Sequence, residues 1–289
     1  DSKKIAVVGA GITGVTTAYY LAKAGYKVSV FEQEPNPAMR TSFANGGQVS
    51  VSNSEVWTTW SNVRKGIQWM FQSDAPLLIR PRLDFAQWSW LGKFLYNTIT
   101  NQYKKNTEKT IHMGLEARKL YDVICAEEKM KFDRSDCGIL HFYKDEQYFE
   151  HAKNVKELYN SNGLEWDILT ENQTKFLDTS LSDIKGIVGG AWTPSDWTGD
   201  IYKFCNQLTL VLANKYGVKF YFNNEADIDY LINYSDIVVV CAGVGSVELA
   251  KEIGDTLPIY PVKGYSITIN NVDTKHLPKV SLLDDKLRL

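Results

Sequence analysis

Lys4-Ile5-Ala6-Val7-Val8-Gly9-Ala10-Gly11-Ile12-Thr13-Gly14 decides the fold of this chain. The apolar run Ile5 to Val8 reads as a strand, Ile12 to Lys23 as a helix and Val28 to Phe31 as a second strand, which together make a parallel βαβ unit. Each glycine of the turn has its own task. Gly9 permits the tight turn, Gly11 lets a pyrophosphate approach the backbone, and Gly14 lets helix and strand pack closely. The amides around Ala10, Ile12 and Thr13 then sit at a helix N-terminus carrying roughly half a positive charge, where phosphates bind. Ala18 and Leu21 face the sheet, and Gly25 ends the helix. Glu32 closes the second strand 18 residues after Gly14, with Gln33 beside it. A helix out and a strand back return Glu32 to the same sheet edge, where its carboxylate accepts from ribose hydroxyls and repels a 2′-phosphate. A dinucleotide is therefore expected, and NADP is argued against. The unit alone does not separate FAD from NAD.

Further along, strand and helix alternate less regularly. Residues 51 to 135 read as mostly helical and rich in Trp, with Asn106-Thr107 capping a long helix to about Glu128 that carries Ile111, Leu115, Leu120 and Ile124. Gly138 to Tyr143 is a strand, followed by one helix through Leu158 that stops near Asn162-Gly163. Thr170-Glu171 opens a short helix, and Ile187 to Trp192 is a strand ending in Pro194-Ser195-Asp196. Asp200 caps a helix whose Ile201, Phe204, Cys205, Leu208, Val211 and Leu212 share a face, with Gly217 beyond its end. Val218 to Phe222 and Ile237 to Cys241 are strands, and Ser246 begins another helix. The strand-helix-strand style thus returns after an interruption, as in a nucleotide-binding domain carrying a long insertion.

Composition removes several function classes. A net charge of −2 asks for no nucleic acid or acidic membrane. Cys125, Cys137, Cys205 and Cys241 form no C-x-x-C pair, and His112, His141, His151 and His276 have no ligand spacing. No metal is expected, and a reducing compartment fits best. No apolar leader precedes the first strand and no run is long enough to span a bilayer, so a cytoplasmic protein is expected. The closing stretch, Ser281 to Leu289, reads as the start of a strand pair.

Thr41-Ser42-Phe43-Ala44-Asn45-Gly46-Gly47-Gln48 is small and polar. On composition it is a flexible loop, or else a segment that passes backbone N–H groups close to a flavin ring. Here the chain resembles the D-amino acid oxidase superfamily, and within it the bacterial D-amino acid dehydrogenase small-subunit group. The resemblance rests on Gly9 to Glu32, Thr41 to Gln48, Ala75-Pro-Leu-Leu-Ile-Arg-Pro81, Thr193 to Asp200 (T-P-S-D-W-T-G-D) and Leu257 to Thr268 (L-P-I-Y-P-V-K-G-Y-S-I-T).

The resemblance implies an α/β protein: a Rossmann-like FAD-binding domain (1–50 and 200–255) with a long inserted α+β substrate domain (51–199 and 256–289) on a mixed sheet. It implies FAD as cofactor and oxidative deamination of D-amino acids to oxo acids and ammonia, by hydride transfer from Cα to the flavin N5. Electrons pass to a respiratory-chain acceptor, a quinone or electron carrier, with peripheral contact at the inner face of the bacterial inner membrane. Ser42, Asn45, Gly46, Gly47 and Gln48 match the segment along the flavin and pyrophosphate, Ala226 the backbone along the adenine, and Ala242-Gly243 a second turn near the cofactor. Two departures stand out: Asp227 to Tyr234 is shorter than the hairpin usual there, and family members continue beyond position 289 with a last strand, a flavin loop and a carboxylate-binding Arg. A glycine- or sarcosine-type amine oxidase, or a non-catalytic FAD-binding remnant or half of a split protein, are the alternatives.

No side chain is assigned as an acid or base, because in this reaction class the cofactor carries the chemistry. Lys263 and Tyr265 are either a surface lysine and a packed tyrosine, or a cation and a phenol that suit a substrate carboxylate. Asp196 and Asp200 are accounted for by turn formation and helix capping. Among the tryptophans, Phe85, Trp88, Leu91, Leu95 and Ile99 form a helical stripe expected to pack in the core, while Trp90 and Phe94 point elsewhere and are the candidates for a membrane or quinone contact.

Overall fold

The computed structural model describes residues 2–70, 81–269, 272–273 and 277–284. Residues 75–80 of the resemblance, His276 and residues 285–289 lie outside them. In chain order come β1 (Lys4–Val8), α1 (Ile12–Lys23), β2 (Lys27–Phe31), β3 (Gln48–Val49), α2 (Trp60–Trp69), α3 (Phe85–Ile99) and α4 (Tyr103–Glu128). There follow β4 (Ile139–Tyr143), α5 (Glu146–Asn154), α6 (Lys156–Ser161), β5 (Asp167–Thr170), α7 (Glu171–Leu177), β6 (Gly189–Thr193) and β7 (Trp197–Thr198). The remainder is α8 (Ile201–Tyr216), β8 (Lys219–Tyr221), α9 (Ile228–Tyr234), β9 (Ile237–Val240), α10 (Ser246–Glu252) and β10 (Ser281–Asp284). The chain divides into two units: Asp1–Gly47 with Ile124–Asp133 and Gly199–Ile267, and Gln48–Val123 with Arg134–Thr198 and Thr268–Leu289.

The first unit is built on a parallel sheet of order β8-β2-β1-β9. Ile5 to Val8 are all buried, which is why the central strand reads as an unbroken apolar run rather than an alternation. Val15, Ala18 and Tyr19 of α1 are fully buried, and α1 packs beside α8. The Asp200 carboxylate caps α8 by accepting from the Lys203 amide at 2.9 Å, and Gly217 takes the left-handed conformation at φ 68°. On α8, Ile201, Phe204, Cys205, Leu208 and Leu212 are buried, whereas Val211 is half-buried. Where the resemblance expects a hairpin, residues 228–234 form a short helix capped by Asp227.

The second unit holds a mixed sheet of order β10-β4-β6-β5, with β10 parallel to β4 and both β4 and β5 antiparallel to β6. Thr170 and Gln173 form a reciprocal capping box at the start of α7. Asp196 is fully buried: its carboxylate accepts from the amides of Val51 and Ser52, both at 3.0 Å, and from Arg118 at 3.0 Å. It therefore ties chain segments far apart in sequence, which turn formation did not anticipate. His141 pairs its Nε2 with Ser52 Oγ at 3.0 Å and sits edge-on to Trp166, and burial pushes its pKa down to about 4.

Several expectations are corrected. α4 begins at Tyr103, a turn before Asn106-Thr107, because the Thr107 hydroxyl is buried and accepts from the Val56 amide instead of capping the helix. The helix expected through Leu158 is two helices, α5 and α6, meeting at Val155. The strand expected from Ile187 begins at Gly189. The largest correction concerns α3. Periodicity grouped its apolar residues, yet Phe85 is 88 % exposed, Trp88 53 % and Ile99 61 %, while Gln87 and Thr98 are buried. An apolar stripe reports amphipathicity; it does not say what the apolar side meets.

Candidate functional site

At the C-terminal end of β1 the sheet order reverses direction: α1 leads to β2 on one side, and β9 lies on the other. Parallel sheets bind ligands in the crevice outside such a point. Gly9 turns the chain there with φ +101°, its amide donating to Phe31 O at 2.8 Å. A Cβ on Gly9 would come within 2.5 Å of the Cys241 carbonyl oxygen, and one on Gly14 would drive into the Gly9 carbonyl. Both positions therefore demand glycine for the packing of the backbone, at Gly9 against the end of β9 and at Gly14 against the turn itself.

Gly11 differs: its neighbour is a candidate ligand-binding group, since a Cβ there would meet Ser42 Oγ at 3.2 Å. That hydroxyl accepts from the Ile12 amide at 3.0 Å and satisfies one of the orphan donors of the first turn. Among the described residues the Thr13 and Gly14 amides have no acceptor, and no acidic side chain occupies the first turn of α1. Two free N–H groups, an uncompensated helix N-terminus and a side-chain-free approach fit a pyrophosphate.

Glu32 lies beside this turn. Its Oε2 accepts from the Ala10 amide at 2.7 Å and its Oε1 from the Glu34 amide at 2.9 Å, so the carboxylate is oriented and each oxygen keeps a lone pair for a hydroxyl donor. Gln33 turns its amide oxygen to the Arg40 guanidinium at 2.8 Å, and Arg40 Nε donates to Glu34 at 2.8 Å. Arg40 was not foreseen from the sequence, nor was Ala38, which is buried with φ 59° and donates its amide to Ala10 O at 3.0 Å. A positive φ at alanine leaves no local trace in the sequence.

The Thr41–Gln48 segment is knitted together rather than loose. Asn45 Nδ2 donates to Ser42 O at 2.9 Å, and its Oδ1 accepts from the Gly47 amide at 2.8 Å. Gly46 is exposed between them, and Gly47 has φ +61° with its carbonyl accepting from Gly199 N at 2.7 Å. Gln48 opens β3, paired with Thr198. Ala226 and Ala242 both pack on the cluster of Ala6, Val8, Phe31 and Leu231, and Gly243, at φ +57°, begins a tight turn just after β9. The structure thus gathers Gly9 to Gly14, Glu32, Ser42, Ala226 and Ala242-Gly243 around the C-terminal ends of β1, β2 and β9.

Lys263 and Tyr265 are placed otherwise. They lie in a segment without regular structure, Lys263 Nζ 5.2 Å from the Tyr265 ring centre, and Tyr265 is 84 % exposed. Among the described residues no hydrogen bond or ion pair joins them to the glycine turn. Nor do the described residues include a His, Cys, Asp or Glu cluster able to hold a metal.

Residues 4–287 match the family model described as FAD dependent oxidoreductase. The chain is 40 % identical to D-amino acid dehydrogenase 3 of Mesorhizobium japonicum, across 99 % of its own length and 73 % of the relative's. It is 32 % identical to the D-amino acid dehydrogenase of Vibrio cholerae, with 99 % and 71 % covered. Among solved structures it is similar to glycine oxidase from Geobacillus kaustophilus (TM-score 0.60, 15 % identity, 88 % of this chain and 59 % of that one). A second similar structure is L-amino acid deaminase from Proteus myxofaciens (TM-score 0.54, 15 % identity, 89 % and 49 %). The chain spans about three fifths and half of those two solved chains, and at such identities they bear on the fold alone.

Proposed function

The chain belongs to the FAD dependent oxidoreductase family, and on that premise we propose that it catalyses oxidative deamination of D-amino acids as a D-amino acid dehydrogenase. The observation that carries the reading is the pair of open amides at Thr13 and Gly14 beside the oriented Glu32 carboxylate, in a chain whose curated relatives bear that dehydrogenase name. Thr13, Gly14 and Ser42 would receive the FAD pyrophosphate, with Gly11 leaving room for it. Glu32 would accept from the ribose, Ala226 would border the adenine, and the backbone of Asn45 to Gln48 and of Ala242-Gly243 would line the flavin side. FAD supplies the two-electron acceptor for the hydride leaving the substrate Cα. The resulting imine takes up water and releases an oxo acid and ammonia. Lys263 and Tyr265 remain the proposed partners of the substrate carboxylate, on chemistry alone.

The test is an anaerobic spectrum of the FAD-loaded chain during addition of D-alanine and then L-alanine. Bleaching of the flavin band with the D-isomer alone is expected; bleaching with neither, in protein that retains flavin, overturns the reading. Rapid oxygen consumption without a dye acceptor would favour a glycine- or sarcosine-type oxidase.

Electrons are proposed to leave to a respiratory quinone or carrier, with the protein peripheral on the cytoplasmic face of the bacterial inner membrane. Among the described residues no helix is long and apolar enough to cross a membrane. Support for a surface contact comes from the outward Phe85, Trp88, Leu95 and Ile99 of α3 rather than from Trp90 and Phe94, which are half-buried and packed on each other at 5.6 Å. Liposome flotation of a Phe85→Ser, Trp88→Ser double variant checks it: partitioning equal to the unchanged protein removes α3 from the contact.

A further inference from the structure

Gln48 is the last residue of the Thr41–Gln48 segment, and its side chain is anchored far away in sequence. Its Nε2 donates to Ser281 Oγ at 2.6 Å. Ser281 opens β10, and the seat of that strand is well made. The Asp178 carboxylate is buried and accepts from the Lys279 amide at 2.6 Å and the Val280 amide at 3.1 Å. The Ser281 amide donates to Gly138 O at 3.3 Å, β10 pairs with β4 from Ser281 to Asp284, and Leu283 is buried. The hydroxyl that meets Gln48 is therefore fixed to a sheet.

A free glutamine samples many rotamers, and holding it in one costs side-chain entropy. Where a fixed acceptor already holds it, binding a ligand does not incur that cost again. With Nε2 committed to Ser281, the Gln48 Oε1 has no donor among the described residues and its amide is held in one orientation. We propose that Ser281 is a positioning residue for the cofactor: through Gln48 it presets the flavin-side segment, so that FAD affinity depends on the seating of β10. This rests on the proposed place of Gln48 along the flavin.

The experiment measures FAD dissociation constants by flavin fluorescence, and the shape of the long-wavelength flavin band, for the chain and its variants. Ser281→Ala should weaken FAD binding about fivefold, the loss of one hydrogen bond's worth of ordering, and Gln48→Ala at least as much, with the band changed in the same direction. The double variant should lose no more than Gln48→Ala alone. Ser281→Thr, which keeps the hydroxyl and suits a strand, should restore both readouts. Asp178→Asn should weaken binding when Gln48 is present and have no effect in the Gln48→Ala background. Unaltered binding in Ser281→Ala beside a weakened Gln48→Ala overturns the proposal, as do additive losses in the double variant. If Gln48→Ala alone changes nothing while Gly11→Leu abolishes binding, the proposal falls with its premise and the FAD site stands. If Gly11→Leu still binds FAD, the FAD site itself is wrong, and the proposal with it.

Discussion

The glycine turn of the first unit and the Asp196 centre of the second are both polar devices held in apolar surroundings, but they are made of different parts. The turn offers backbone amides, and its glycines matter through side chains they lack. The Asp196 centre is a carboxylate that gathers Arg118 and two amides of residues 51 and 52 from distant stretches of chain. Backbone devices are written locally in sequence, whereas side-chain devices appear only once the chain has folded.

Substitutions can break this contrast. The largest effect is expected at Gly14→Ala, whose Cβ would run into the Gly9 carbonyl. Flavin retention on gel filtration should fall by more than about a hundredfold, roughly 3 kcal/mol or more, and a variant that keeps its flavin would show that the turn yields. Asp196→Ala should act on stability instead, because it leaves the guanidinium of Arg118, only 15 % exposed, without its carboxylate partner. A loss of about 3 to 4 kcal/mol in urea unfolding is expected, and pairing it with Arg118→Met should recover part of that loss.

Next comes His141, which sharpens the comparison by adding pH. Its folded pKa of about 4 lies below the ordinary value of 6.5. Below pH 6.5 the unfolded chain therefore takes up a proton that the folded chain refuses. Its neutral state contributes fully above pH 6.5, and stability falls as pH drops from there towards 4. Because the ring keeps part of its surface open, a loss on the order of 1 kcal/mol between pH 7 and pH 5 is expected. His141→Gln should flatten that slope in urea midpoints at the two pH values; an unchanged slope would assign it to other groups. The smallest effect belongs to Ala38→Gly, which relieves a left-handed alanine and should raise the melting midpoint by the equivalent of about 1 kcal/mol.

How much was legible follows the same division. The βαβ unit, the cap of α8 by Asp200 and the helix start at Thr170 were readable because each is a short-range pattern with one physical solution. The start of α4 was misread because the Thr107 hydroxyl serves the Val56 amide, a residue about fifty positions earlier. The α3 stripe was grouped correctly and oriented wrongly, since periodicity carries no information about a partner. Within the site, Gly9 to Gly14 and Glu32 could be named from spacing. Arg40, tied to Glu34 and Gln33, could not, because a single charged residue in a polar turn reads as solvated surface.

A cradle made of amides also governs how the site tolerates sequence change. Ala10, Ile12 and Thr13 contribute N–H groups that every amino acid except proline possesses, whereas Gly9 and Gly14 have no room for a side chain. Saturation mutagenesis of residues 9 to 14 should therefore give an uneven landscape, with near-intolerance at the three glycines, little freedom at the buried Ala10 and breadth at Ile12 and Thr13. Such a site can persist while the letters at its amide-only positions, Ile12 and Thr13, drift.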